Sequence, residues 1–457
     1  MSETNTIETG NKMGIHPIPK LMLTMGIPMI CSMVVQALYN IIDSYFVSQI
    51  PKIADQAMNA LTLAFPIQML MVAVGVGTGV GVNALISRFL GQKDYEMVNK
   101  ITGNAIFLGI CTYVVFLLFG IFGLDAYLRS QSSNELILML GTQYLSICVF
   151  LSFGVILSMV YEKLLQSTGK TLQTTIAQLA GALTNIFLDP VLIFGWFGLP
   201  VMGISGAAYA TVIGQMVTLG LNMFFHYFFN PEIKNGLRYL RPQKEIIVHI
   251  YQIGIPAIIL QALMSFMTYG VNIILAGISE NYVTAYGVYY KIQQFAFFAG
   301  FGLNNALIPL VAYNYGKGDM QRVKDSIKYG TLDTVILLGI CMIILELFAN
   351  PLASIFALSP EIISVCVVAM KIIATGFLFA GFNIALQGIF QALGKGMYSL
   401  IVSLIRMVLV DLPLAWLFIR MASNPSLTFW AFPIAELCGV IVAWLMYRSV
   451  KKEIGLE

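Results

Sequence analysis

The sequence predicts an all-α polytopic membrane protein, with twelve transmembrane helices arranged as two pseudo-symmetric six-helix bundles. Three observations lead there. Of 457 residues, 58% are hydrophobic and only 10% charged, with a mean hydropathy of +0.83; a soluble domain carries roughly 25% charged residues. Apolar runs of about 18 residues or more recur along the chain between charged or Gly/Pro-marked breaks, the pattern of helices that cross a bilayer. The sequence also resembles itself at an offset of about 225 residues, as chains with duplicated membrane halves do.

The apolar runs place spans at roughly 21–48, 59–86, 101–124, 137–161, 171–196, 203–229, 247–278, 283–312, 327–348, 361–390, 397–420 and 428–448. Residues 1–20 are polar and lack the short apolar core and small-residue cleavage site of a secretory signal, so the first span is expected to be retained. The chain then divides into an N-terminal segment, 1–20, a first bundle, 21–229, a linker, 230–246, a second bundle, 247–448, and a tail, 449–457. The linker, NPEIKNGLRYLRPQKE from Asn230, is polar, basic and rich in turn formers.

Basic residues alternate between connections. The odd-numbered ones carry Lys52, Arg129 and Arg420. The termini and even-numbered ones carry nineteen, including Lys20, Arg88, Lys163, Lys170, Arg238, Lys317, Arg322, Lys395 and Lys451. Basic loops stay on the cytoplasmic side, so both termini are expected there, in an inner cell membrane. A formal net charge of +3, spread over short loops, leaves no face suited to nucleic acid. The six cysteines stand alone in apolar runs, and three histidines near segment ends are too few for haem or a His-ligated metal.

The repeat falls in order. Gly91 and Asp94 meet Gly316 and Asp319, Gln68 meets Gln293, and Gln166, Gly169 and Lys170 in QSTGK meet Gln391, Gly394 and Lys395 in QALGK. The offset spans six helices, an even number, so the halves share one orientation, related by an axis along the membrane normal. Facing bundles of that kind favour a central cavity and a rocking motion over a single pore.

Ionisable residues at membrane depth are costly and mark function unless a partner neutralises them. At about 1.5 Å per residue from cytoplasmic Lys20 and Lys170, Asp43 and Asp189 both reach the outer half of the bilayer. Tyr144 enters that level from the opposite direction, Asn185 precedes Asp189 by one turn, and Asn40 precedes Asp43. No Lys or Arg is expected to be buried in this half. Two such carboxylates cannot both stay ionised without a proton or an alkali cation to balance them, which describes a coupling-ion site. The bland alternative is a helix-end carboxylate before Pro190 and a hydrogen-bonding Asp43. The second half holds Lys291, Lys371, Arg406, Asp411 and Glu436 within spans, a set expected to pair internally, with a substrate or gating role for Lys291 or Asp411 left open.

GVGTGVG at Gly75 to Gly81 looks like a phosphate cradle but lies mid-helix with no preceding strand, where its spacings suit close helix packing. GKT at Gly169 has Leu164 where a nucleotide-binding loop needs glycine, so no nucleotide site is expected and energy must come from an ion gradient or a separate ATPase. Mid-helix polar residues Gln36, Gln261 and Gln293, with Tyr39 and Tyr289, are candidates to line a wet cavity or to act as interhelical glue. The 24 methionines and 55 aromatic residues offer polarizable surface for amphipathic cations.

ALYNIIDSYFVSQI at Ala37, ISRFLGQKD at Ile86, TNIFLDPVLIFGWFGLPVMGISGAAYAT at Thr184 and VAYNYGKGDMQRVK at Val311 resemble the multidrug and toxic compound extrusion (MATE) family of cation-coupled exporters. The resemblance runs along nearly the whole chain and is nearest to bacterial branches with the coupling site in the first bundle. It implies that Asp43, Asn185 and Asp189 bind H+ or Na+, with Tyr144 nearby and Thr211 a weaker candidate, and that Gln36 lines a drug cavity. No Asp or Glu occupies 247–277 or 366–392, so the resemblance implies no second-bundle site on helices 7 and 10.

The reading is thus a non-enzymatic antiporter that exchanges H+ or Na+ for amphipathic, mostly cationic compounds, uses no cofactor beyond the coupling ion, and is expected to work as a monomer. Gln36, Tyr39, Gln261, Tyr289, Lys291 and Gln293 are its expected cavity residues. A flippase for a lipid-linked sugar is the alternative, disfavoured because a pyrophosphate calls for several buried basic residues.

Overall fold

The computed structural model describes residues 10–356, 359–421 and 425–456; residues 1–9 of the N-terminal segment and the last residue of the tail lie outside that range. Among the described residues, ten helices are each long and apolar enough to cross a membrane, and two bent pairs supply two further spans, giving twelve. In order they are α1 (Ile18–Ser48), α2 (Ala54–Gly91), α3 (Tyr95–Phe122), the short α4 (Leu124–Gln131), the pair α5 (Glu135–Phe150) and α6 (Phe153–Ser167), α7 (Thr171–Phe194) and α8 (Ile204–Phe229). The second half has α9 (Lys244–Ala276), α10 (Glu280–Lys317), α11 (Met320–Ser354), the pair α12 (Pro360–Ala374) and α13 (Phe377–Ala392), α14 (Gly396–Leu404) continuing through a π-helical segment into α15 (Leu412–Met421), and α16 (Ala431–Glu453).

The repeat is visible in local geometry. The paired helices bend by 42° in the first half and 54° in the second. Asp94 caps α3 by accepting from the Met97 N–H at 3.0 Å, and Asp319 caps α11 by accepting from Arg322 at 3.2 Å. QSTGK and QALGK each turn on a left-handed glycine, Gly169 at φ 82° and Gly394 at φ 78°, a conformation that costs glycine nothing.

The halves meet through α1 and α2 on one side and α9 and α10 on the other. Gly91 and Gly316, equivalent by the repeat, cross here: a Cβ on Gly91 would strike the Tyr313 carbonyl, and one on Gly316 the Arg88 carbonyl. Farther in, Gly77 lies on Gly254 and Ile258, and Gly81 on the Ile250 backbone, so GVGTGVG is a helix-crossing surface. This clasp is at the end where the described residues begin and finish. Met13 is buried there, its carbonyl accepting from Asn314 at 3.2 Å and Arg322 at 2.8 Å, while Leu456 is buried in the same cluster. The linker lies along α3, with the Lys234 and Gln243 N–H groups donating to Asn99 and Asn104 at 2.7 and 2.8 Å.

Candidate functional site

Away from the clasp, α1 carries Gln36, Tyr39, Asn40 and Asp43 at helical spacing, so they share a stripe facing the first half. Together with α2, α5, α6, α7 and α8 this stripe bounds a cavity of about 230 Å³. Gln36, Tyr39, Asp43, Tyr144, Asn185 and Thr211 all stand on its wall.

Asp189 does not. It is fully buried one turn beyond Asn185 on α7, screened from the cavity. The Asn185 amide joins it to the wall, donating to Asp189 Oδ1 at 3.5 Å and to Thr211 Oγ1 at 3.4 Å. Asp43 and Asp189 sit near enough for one charge to act on the other. Three buried oxygens here, Asp43 Oδ1, Asn185 Oδ1 and Asp189 Oδ2, have no hydrogen-bond partner. Buried polar oxygens are ordinarily satisfied, so this set is a strong acceptor with nothing to accept. Among the described residues no basic side chain forms an ion pair with either carboxylate. On α2, Gln68 donates to Tyr144 Oη at 3.3 Å and so orients the phenol.

The structure changes four expectations. Lys163 belongs to no loop: α6 runs on to Ser167, so this lysine is buried inside the first half on the cavity wall. Its Nζ donates to Gln166 at 2.8 Å and, across to the other half, to Asn305 at 3.2 Å. The absence of buried basic residues in this half, an argument against a flippase, therefore fails as stated; one lysine occupied by two amides is still far from a pyrophosphate cradle.

Gln261, Tyr289, Lys291 and Gln293 are not on this wall, where Asn305 alone represents the second half. Tyr289 points into that half's core beside Tyr286, because α10 packs there against α12, and Lys291 is exposed. The expected five-member charge network shrinks as well. Arg406 pairs with Glu436 at 2.7 Å, whereas Lys291 and Lys371 are exposed and make no ion pair among the described residues. Finally, sequence reasoning missed Gln68, Gln178, Gln215, Glu162 and Asn305 as wall residues. The mid-helix amide rule that selected Gln36 would have found Gln178 and Gln215.

A sequence model of the MatE family matches residues 28–191 and 256–417, one segment in each half. The chain is 28% identical over 441 residues to the multidrug export protein MepA of Staphylococcus saprophyticus, covering 96% of this chain and 95% of the relative. It is 27% identical over 433 residues to MepA of Staphylococcus aureus, covering 94% of each. In three dimensions it is similar to a solved outward-facing conformation of a multidrug resistance MATE family transporter of the MOP superfamily. That likeness has a TM-score of 0.91 at 23% identity, over 98% of this chain and 99% of the other.

Proposed function

The chain belongs to the MatE family, whose members are transporters and not enzymes, and we propose that it is a multidrug efflux antiporter exchanging external H+ or Na+ for amphipathic, mostly cationic compounds. Export of drugs is what the MepA relatives are named for. The observation that carries the ion coupling is the trio of unpartnered buried oxygens on Asp43, Asn185 and Asp189 beside a cavity with no basic partner for either acid. A proton or Na+ entering there cancels one of the two negative charges that Asp43 and Asp189 carry when both are ionised, with Tyr144 and Thr211 completing the oxygen set. Na+ takes about five or six oxygen ligands, which these side chains approach with the help of water.

Coupling requires that ion and drug favour different states, since a ligand with equal affinity for both shifts nothing. Asp43 on the cavity wall supplies the difference: ionised, it attracts a drug cation; neutralised from outside, it releases it. The alternation of basic loops supports cytoplasmic termini in the cell's inner membrane, so the clasped end faces the cytoplasm and this state opens outward. Resetting is a rocking of the halves, within a single chain. The flippase reading gains only one buried lysine and stays second.

The test is efflux of an ethidium-like cation by purified protein in liposomes, with a pH gradient and a Na+ gradient imposed separately. One of the two should drive efflux; if neither does, ion coupling is wrong.

A further inference from the structure

The second half has a buried polar cluster of its own, at the break between α14 and α15. Residues Ile405–Asp411 form a π-helical segment. In an α-helix, residues five apart point about 140° away from each other. A π turn bonds i to i+5 and brings them onto one face, and such turns gather at functional sites. Arg406 and Asp411 are five apart, so the widened turn aligns them.

They do not pair. Arg406 Nη1 is held by both Glu436 oxygens at 2.7 and 2.8 Å, and Asn383 closes the arrangement by donating to Glu436 Oε2 at 2.7 Å. Asp411, 2% exposed, is left with Oδ1 unpartnered. Two tyrosines of α10, Tyr286 and Tyr289, are buried with unpartnered hydroxyls as well, and the Asp411 charge acts on both. The charged and titratable groups around Asp411 are Arg406 on its own turn, Glu436 from α16, and Tyr286 and Tyr289 from α10. With one cation and two carboxylates, the cluster carries one negative charge too many for a buried site.

We propose that Asp411 is a proton-binding site of the second half, separate from the Asp43 and Asp189 pair. One free carboxylate suffices to hold a proton, but falls well short of the oxygen cage that a metal cation requires. Protonated, Asp411 becomes a neutral acid whose O–H can be donated, and the cluster's charges balance. The site stands whether or not the first-half carboxylates couple transport.

Infrared titration of the full-length protein tests this directly. In a D43N/D189N background, a protonated-carboxylic C=O band should persist at neutral pH, disappear on alkaline titration, and be absent when Asp411→Asn is added. A band that D411N leaves unchanged overturns the assignment, as does a band abolished by Na+ at constant pH. Should D411N fail to fold, Glu436→Gln serves instead: removing the carboxylate that holds Arg406 leaves Asp411 the only acid beside that cation, so the band's titration midpoint should fall to lower pH, and an unmoved midpoint overturns the assignment equally.

Discussion

Lys163 on α6 donates across the interface between the halves to Asn305 on α10, at 3.2 Å. A rocking motion that parts the halves has to break this bond, and a hydrogen bond to a charged donor contributes roughly 1.5–3 kcal/mol. Lys163→Met should therefore bias the protein away from the clasped state. Distances measured by electron spin resonance between labels on the clasped ends of α2 and α10 should show a larger separated population. An unchanged distribution would mean that the bond is incidental.

Asp43→Asn and Asp189→Asn should each abolish gradient-driven efflux while leaving the protein folded. Their effects on drug binding should differ. Asp43 stands on the cavity wall and Asp189 does not, so D43N should weaken equilibrium binding of a cationic dye roughly tenfold, about 1.4 kcal/mol, and D189N should leave it nearly intact. Equal losses of binding would contradict the screened position of Asp189.

Gly316→Val places a branched side chain against the Arg88 carbonyl, where a Cβ alone has no room. Overpacking of this kind costs roughly 1–3 kcal/mol. The variant should lower the melting temperature, and Gly91→Val, which meets the Tyr313 carbonyl at the equivalent position, should do the same. Melting curves indistinguishable from the parent would mean that the crossing is looser than described.

Lys12, in the docked N-terminal segment, has its pKa lowered by burial and then by Lys170, against an opposing pull from Glu232. The undocked segment binds the proton more tightly, so docking is fully favoured above the usual lysine range and weakens as pH falls through the lowered value. Hydrogen exchange at Met13 should slow as pH is raised toward that range, after correction for intrinsic exchange, and Lys12→Met should flatten the dependence. A parent profile already flat removes Lys12 from the account.

The spans were legible because lipid demands long apolar runs, and the halves because the repeat preserved caps and turn glycines such as Asp94 and Asp319, Gly169 and Gly394. Asp43, Tyr144 and Asn185 converge as expected because depth follows from counting residues along a helix. Rotation about the helix axis does not follow from counting. Tyr289 and Gln293 were placed at a plausible depth, yet α10 turns that face away from the cavity, a choice made by packing against α12. Lys163 was misplaced for a related reason: a charge near the end of an apolar run reads as loop until the helix is seen to continue past it. The π turn at Arg406 leaves no periodic signature, since one widened turn does not change the spacing of a run that is apolar on both sides of Arg406 and Asp411.

Because Asn185 stands between Asp189 and the cavity, a molecule lodged there meets Asp43, and Glu162 farther along the wall, but not Asp189. Selection for new toxins can rewrite the lining, from Gln36 to Gln215, without disturbing the inner carboxylate. Asp189 alone of the acid pair can thus stay fixed while the lining changes, whereas Asp43 answers to both demands.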